Sequence, residues 1–345
     1  MKRVYCLRIF MIIGVIFGII IAQEDMNSIG QGSKISKSGT TSMNFLQVGV
    51  SPNIAGRGNT YTAVCRGVES VFGNPAGLTE LSTPIELFFS STKWIADINY
   101  LASALAIKAG NLGVFGLHFL TVDYGYIQAT ALTHPEVGEE NYRIIGEAKN
   151  VGAYSIGLSY VRQINIKFSM GGTVKYVSQS LGQLIDWDTG EATDNDRGKV
   201  AFDLGLRYYF GWKSLSLSMA MRNFSTYVLY QRTSFSLPLV YSIGLSMDLI
   251  EVIKPELRKL HSLLLITELS HPNNYYQRIN AGVEYNYKSL FSLRAGYESN
   301  HDLLSWSIGA GTYLSVGKRR LEVNYSYSDV KLFNGVSRLS LTIGL

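Results

Sequence analysis

Hydrophobic and polar residues alternate strictly over long stretches of this chain. In the segment 291–298, the odd positions carry Phe, Leu, Ala and Tyr, whereas the even positions carry Ser, Arg, Gly and Glu. The segments 277–288, 321–328 and 338–345 follow the same rule. A period of two over about eight to twelve residues is typical of a β-strand with one apolar and one polar face.

Fourteen segments with this character follow one another along the chain. They are longer than an ordinary strand of about five or six residues, and they approach the roughly 9–11 residues with which a tilted strand crosses a bilayer. The predicted strands cover 84–92, 97–109, 112–124, 150–162, 166–180, 199–210, 213–224, 237–249, 260–271, 276–288, 290–298, 303–316, 319–331 and 335–345.

The connections between these strands differ in length at the two ends. Most of those that follow even-numbered strands are very short, whereas 125–149, 181–198 and 225–236 are long and polar. This asymmetry is typical of an outer-membrane barrel, which has short periplasmic turns and long external loops. It predicts that both termini are periplasmic and that 250–259 is a short helix on the periplasmic side.

Alternation also fits a soluble secreted β-sandwich, which is the alternative architecture. In lipid every backbone N–H and C=O must be paired, so a membrane sheet has no free edge. The last strand, ending at Leu345, is therefore expected to close against the first, which starts near Ile85. The fold class we predict is all-β: a 14-stranded antiparallel transmembrane β-barrel over 83–345, with an N-terminal plug.

The first residues have the features of a secretory signal peptide. A basic start is followed by the apolar run Ile9–Ile21 and by Ala22, so we predict a signal peptide over 1–22 and a flexible mature N-terminus over 23–44. The net charge of +5 falls to near +2 when the three basic residues of 1–22 are removed. The charge therefore gives no argument for nucleic acid binding. Outer-membrane lipid of a diderm bacterium is the predicted surrounding.

The segment 45–82 precedes the first strand and fits no lipid-facing pattern. We predict that it forms a plug, or hatch, in the lumen, with a short helical piece at Thr62–Val71. Its compact kink is expected where Pro restricts the backbone, Gly permits close approach and Asn bonds to nearby backbone. The residues of this motif are Asn74, Pro75, Ala76 and Gly77. The alternative is an ordinary helix stop before a strand.

Charged residues of both signs fall on the inward face of the predicted strands. They are expected to line the lumen for selectivity or to anchor the plug, and the alternative is that a wet interior simply tolerates charge. The set is Asp203, Arg207, Arg222, Arg278, Glu284, Arg294, Glu298, Glu322 and Arg338.

No combination of residues typical of an enzyme, a metal site or a cofactor site is evident in the sequence. The five His residues lie far apart, without metal-type spacing. The acidic stretch 186–196 resembles a calcium loop but lacks the closing Glu, so we interpret it as a solvated external loop. Catalysis and cofactors are therefore not predicted.

The segment "FLQVGVSPNIAGRGNTYTAVCRGVESVFGNPAGL" resembles the N-terminal signature of the PorV/PorQ family, a branch of the FadL-like outer-membrane barrels. The segments "KWIADINY", "TVDYG", "MRNF" and "LPLVYSIGLS" resemble it too, in order. The resemblance implies fourteen strands around a hatch that carries Asn74, Pro75 and Ala76. The chain departs from the family at Arg57, where an apolar residue is common, and at Leu345, where barrels usually end in an aromatic residue.

Two functions are compatible with this resemblance. The first is an accessory role in type IX secretion, in which the barrel binds the translocon or the C-terminal sorting domain of cargo. The alternative is a FadL-like transporter for hydrophobic molecules such as fatty acids, with a hatch that moves. Apolar loop residues are then expected to form a landing patch, namely Leu184, Ile185, Trp187, Tyr227 and Val228.

Overall fold

The structure is a computed structural model of the chain. It describes residue 37 and residues 39–64, 66–132, 142–185, 192–230, 232–317 and 319–345. The predicted signal peptide and the start of the mature chain lie outside the described residues, as does Trp187. Within the described part of the chain, no helix combines the length and the apolar character needed to span a membrane.

A closed barrel of fourteen antiparallel strands dominates the described residues, which confirms the predicted all-β, 14-stranded antiparallel barrel. The strands are numbered here along the barrel: β1 Ile85–Lys93, β2 Asn99–Lys108, β3 Val114–Asp123, β4 Val151–Asn165, β5 Phe168–Ile185, β6 Ala192–Tyr209, β7 Ser216–Phe224, β8 Val240–Asp248, β9 His261–Pro272, β10 Arg278–Tyr287, β11 Phe291–Glu298, β12 Leu304–Val316, β13 Arg319–Val330 and β14 Val336–Gly344.

The closing seam follows the two-residue period of the sequence. β14 pairs with β1 so that Phe89 lies opposite Leu341 and Ser90 lies opposite Ser340. The first pair faces outward and the second faces the lumen. A slip by one residue would turn every apolar side chain inward, so the lipid-facing side fixes the register. Closure leaves no strand edge, which is the condition for a sheet in lipid.

The outer surface has the composition of a lipid contact. Along β4 the outward residues are Tyr154, Ile156, Leu158 and Tyr160, and each is more than two-fifths exposed. Aromatic residues at the ends of an apolar strand face are typical of the girdles that mark the two interfaces of a membrane barrel. The barrel therefore spans a membrane, and its fold is that of bacterial outer-membrane proteins.

The two ends of the barrel differ as predicted. One end carries the long loops, which include the hairpin of Gln128–Leu132 with Tyr142–Glu147 and that of Val228–Tyr230 with Thr233–Phe235. The other end carries short turns. The longest connection there contains the short helix Ile250–Ile253 and the 3-10 turn Pro255–Leu257. We call these the loop end and the turn end.

Residues 41–64 and 66–82, here called the lumen segment, lie inside the barrel rather than in its wall. Their helical pieces are the short helix Pro52–Ala55 and the 3-10 turns Asn44–Gln47, Val68–Phe72 and Pro75–Glu80. The helical piece predicted at Thr62–Val71 is wrong in extent. The chain turns at 61–64, and Gly67 has a φ of 72°, which delays the helical turn to Val68.

The lumen segment runs from the loop end to the turn end. Near its start, Ser42 N donates to Ser236 O in a long loop at 3.0 Å. Near its end, Lys108 Nζ donates to Leu81 O at 2.6 Å, beside a short turn. The first described residues therefore lie at the loop end, whereas the mature N-terminus, which is predicted to be periplasmic, lies outside the described residues. An even number of strands places Ile85 and Leu345 together, but the lumen segment adds one more crossing.

Candidate functional site

Inward-facing glycines let the backbone of the lumen segment approach the barrel wall closely. A Cβ added at Gly296 would lie 2.6 Å from Gly58 Cα, and one at Gly282 would lie 2.9 Å from Arg57 Cβ. A side chain at either position would overlap the segment, because real Cβ contacts are longer. Five such wall positions form what we call the glycine seat: Gly116, Gly205, Gly244, Gly282 and Gly296.

The predicted Asn-Pro-Ala-Gly motif contacts the wall at β6. Asn74 Nδ2 donates to the carbonyl of Leu206 at 3.2 Å, while Asn74 Oδ1 accepts from Ala76 N at 3.1 Å. Pro75 occupies the first position of its 3-10 turn, where its missing N–H costs nothing, and it packs over Gly205. The motif also reaches β5, where Ser169 Oγ donates to the carbonyl of Ala76 at 3.5 Å, and Ala76 and Gly77 are buried.

Arg57 of the lumen segment makes the central ion pair of the lumen. Its Nη1 lies 3.0 Å from Glu284 Oε2, and its Nη2 donates to the carbonyl of Val64 at 2.9 Å. Glu284 is shared, because Arg294 Nε lies 2.8 Å from the same oxygen. Only 4% of Arg57 is exposed. One cation of this triad belongs to the lumen segment and the other to the wall.

Other wall carboxylates accept hydrogen bonds from the lumen segment. Glu268 Oε2 accepts from the backbone N–H groups of Thr62 and Ala63, at 2.7 and 3.1 Å. Glu298 Oε1 accepts from the amide of Asn59. The wall thus holds the middle of the segment through its backbone as well as its side chains.

Two wall arginines hold the two ends of the segment. Arg338 Nε donates to the carbonyl of Gly49 at 2.6 Å, near the start, and its guanidinium stacks on Trp94. Near the other end, Arg207 Nη1 lies 2.8 Å from Glu80 Oε1. Both arginines are almost fully buried. Their partners lie on different sides of the lumen, so they are separate anchors.

A further buried ion pair lies in the wall itself. Lys175 Nζ is 2.7 Å from Asp203 Oδ2 and donates to Asn223 Oδ1 at 2.6 Å. Pairing between β6 and β7 shifts at this point, and Asn223 has a φ of 64°, so the cluster marks a β-bulge. Lys175 was not singled out in the sequence, although its inward position follows from the period of two.

The nine predicted inward residues do not form one connected group of charges across the lumen. The structure brings Glu284 and Arg294 together, and it places Glu322 where Asn53 Nδ2 donates to it at 3.1 Å. Asp203 pairs within the wall, and the other predicted residues face different stretches of the segment or the cavity described next. The glycine seat was missed, although alternation had placed Gly296 on the polar, inward face.

A cavity of about 720 Å³ lies between the lumen segment and the loop end. One side is lined by aromatic residues of the segment, the wall and the loops. These are Phe45, Trp94, Tyr100, Tyr124, Tyr230 and Phe235. We call this the outer cavity. The predicted landing patch is only partly compatible with it: Tyr227 is exposed on a loop, but Val228 is buried, and nothing is described of the side chains of Leu184 and Ile185.

The other side of the outer cavity is polar. Arg278 stacks on Tyr275 at 4.8 Å and Arg222 stacks on Tyr61 at 4.7 Å, measured from the guanidinium carbon to the ring centroid. Burial lowers the pKa of the loop residue His301 to about 3, so its ring is neutral, and its Nδ1 accepts from the backbone N–H of Leu303 and Leu304. The cavity thus joins an apolar wall to fixed polar groups.

A smaller, polar cavity of about 380 Å³ lies on the opposite side of the lumen segment, at the turn end. Arg57 and Glu284 line this inner cavity, together with Glu69 of the segment. Burial and the nearby Glu322 raise the pKa of Glu69 to about 7, although Ser51 and Asn53 donate to it. No cluster of three or more potential metal ligands occurs among the residues described.

The fold is shared with solved outer-membrane barrels. The toluene transporter TbuX of Ralstonia pickettii superposes with a TM-score of 0.51 and 14% identity, over 86% of this chain and 97% of that one. For the toluene transporter TodX of Pseudomonas putida the values are 0.52 and 13%, over 84% and 96%. A FadL homologue of Pseudomonas aeruginosa gives 0.51 and 13%, over 86% and 98%.

These likenesses are structural and show the fold. No protein-family model matches the sequence. No curated protein matches it either. The similar structures are transporters or a FadL homologue, so they give no support to the secretion role, which stays a prediction.

Proposed function

We propose that the protein is an outer-membrane channel for small hydrophobic molecules, with the lumen segment as its plug. The outer cavity is the observation that carries this proposal. Its volume of about 720 Å³ lies in the range of about 300–1,000 Å³ that is usual for small-molecule sites. Its aromatic side suits an apolar ligand, and Arg222 and Arg278 give it a polar end suited to an amphipathic one such as a fatty acid.

The position of the lumen segment explains how passage would be controlled. The segment lies between the outer and inner cavities, and it is held by side-chain and backbone hydrogen bonds to β6, β9, β10 and β14. A ligand in the outer cavity reaches the turn end only when part of the segment leaves the glycine seat. The inward charged residues then serve mainly as anchors of the plug. The shared fold of the toluene transporters supports the same proposal.

The test fills the outer cavity without touching the lumen segment. Val240 lines the cavity at the start of β8, whereas Ile243 on the same strand faces lipid. Val240→Trp should slow the uptake of toluene and of oleate by proteoliposomes, and the matched Ile243→Trp should not. Both proteins must show the heat-dependent gel shift of a folded barrel. Equal uptake by wild type and folded Val240→Trp would contradict the proposal.

A further inference from the structure

We propose that Arg57 is a charge lock that keeps the lumen segment in its seat. This inference rests on the proposed function, because the lock matters only if the segment gates a passage. Arg57 is a positioning residue: it acts through Glu284 of the wall.

Arg57 is placed where the segment and the wall are closest. It stands between Gly56 and Gly58, and both glycines pack against wall glycines, so the backbone there has almost no room to shift while seated. Its side chain borders the inner cavity, and there Nη1 donates to Glu284 Oε2 while Nη2 donates to Val64 O of the same segment. The guanidinium therefore fixes both the segment's fold and its attachment.

The wall half of the lock is preformed. Glu284 also accepts from Asn286 Nδ2 at 2.9 Å, and Arg294 is held by Asn324 Oδ1 at 3.1 Å. Withdrawal of the segment therefore leaves Glu284 paired with Arg294, while Arg57 alone loses its counter-ion. Removing one partner of a buried ion pair is strongly destabilising because the other charge stays uncompensated. The seated state is thus favoured because the released segment would carry an Arg57 without its counter-ion.

The inner cavity gives the lock a route for opening. Both Arg57 and Glu284 border it, so the released guanidinium moves into a polar space rather than into an apolar one. An ion pair with both partners inside the segment, Arg66 with Glu80 at 3.1 Å, differs because the Arg66 side chain is 54% exposed. An exposed pair contributes little to stability, and Arg66 is therefore the matched control.

The experiment measures seating directly. Thr60 is fully buried three residues after Arg57, so Thr60→Cys in a Cys65→Ala background reports release of the segment through its rate of maleimide labelling. We expect Arg57→Glu and Glu284→Arg each to speed labelling by at least about tenfold, and the charge-swapped double variant to return most of the way to the starting rate. Arg66→Gln should leave the rate unchanged.

Two results would overturn the lock. One is an unchanged labelling rate in folded Arg57→Glu, and the other is a double variant as fast as the single ones. If Glu284→Arg fails to insert, Arg57→Glu and the milder Arg57→Gln decide the matter alone. Uptake of oleate is measured on the same proteins. Faster labelling with unchanged uptake supports the lock and contradicts the proposed channel, so the two failures are distinguishable.

Discussion

The glycine seat gives the most direct prediction about the lumen. Gly296 lies in β11 with its missing side chain facing Gly58 of the lumen segment. The substitution Gly296→Ala adds one methyl group at that point. In the wall, the change is harmless or favourable by roughly 0.5–1 kcal/mol, because Gly weakens a strand interior relative to Ala. The effect on the lumen segment should be opposite.

The added methyl carbon would lie 2.6 Å from Gly58 Cα and closer still to its nitrogen. Ordinary contact begins near 3.4 Å, so the segment must retreat by at least about 0.8 Å. The obstructing atoms are backbone and cannot rotate away. Overpacking of this kind costs about 1–3 kcal/mol, which corresponds to roughly a 5- to 150-fold rise in the released fraction. The bond from Gly58 N to Ser307 Oγ, 3.1 Å long, is lost as well.

Planar-bilayer recordings measure this release as the frequency of openings to a high-conductance state. Gly296→Ala should raise that frequency by the stated factor, while the barrel's melting temperature stays the same or rises. Gly152 in β4 is the matched control, because a Cβ there meets no atom nearer than 3.8 Å. Gly152→Ala should therefore open to the high-conductance state as often as the wild type.

A closed channel in folded Gly296→Ala would refute the reasoning, since the segment could not then occupy the space described. An equal rise in Gly152→Ala would refute it too, because the effect would come from the strand rather than from the seat.

Three further predictions concern charge and topology. Because the pKa of Glu69 is raised to about 7, the seated segment binds a proton, so seating is strongest in acid and weakens as the pH rises through 7; Glu69→Gln should remove this pH dependence of channel opening. With Cys65 replaced by Ala, an impermeant maleimide should label the Thr40→Cys protein on intact cells but the Glu256→Cys protein only after the outer membrane is opened; the reverse order would contradict the direction of the lumen segment. Lys175→Met leaves a buried aspartate unpaired and should lower the free energy of unfolding by about 3–5 kcal/mol in urea titrations; an unchanged midpoint would contradict a dry ion pair.

The sequence by itself determined the barrel wall. Alternation at period two shows on every strand which residues face lipid, and the apolar outer face excludes a slip by one residue, so fourteen strands and their approximate bounds follow from local information. Closure follows as well, since lipid cannot pair a free edge. The inward position of residues such as Glu284 and Arg338 is part of the same pattern.

Only the tertiary structure decided what the inward residues contact. Alternation assigns Glu284 and Arg294 to the inward face, but it says nothing about Arg57. That residue lies in an irregular segment far away in sequence, which takes its own path across the lumen. The pairing of Arg57 with Glu284 and the seat at Gly296 depend on contacts more than 220 residues apart, and the direction of the path depends on contacts such as that of Ser42 with Ser236. Such contacts leave no period in the sequence. The physical reason is that lipid requires only one property of the outer face, apolarity, whereas each contact in the lumen depends on the shape and charge of two particular residues.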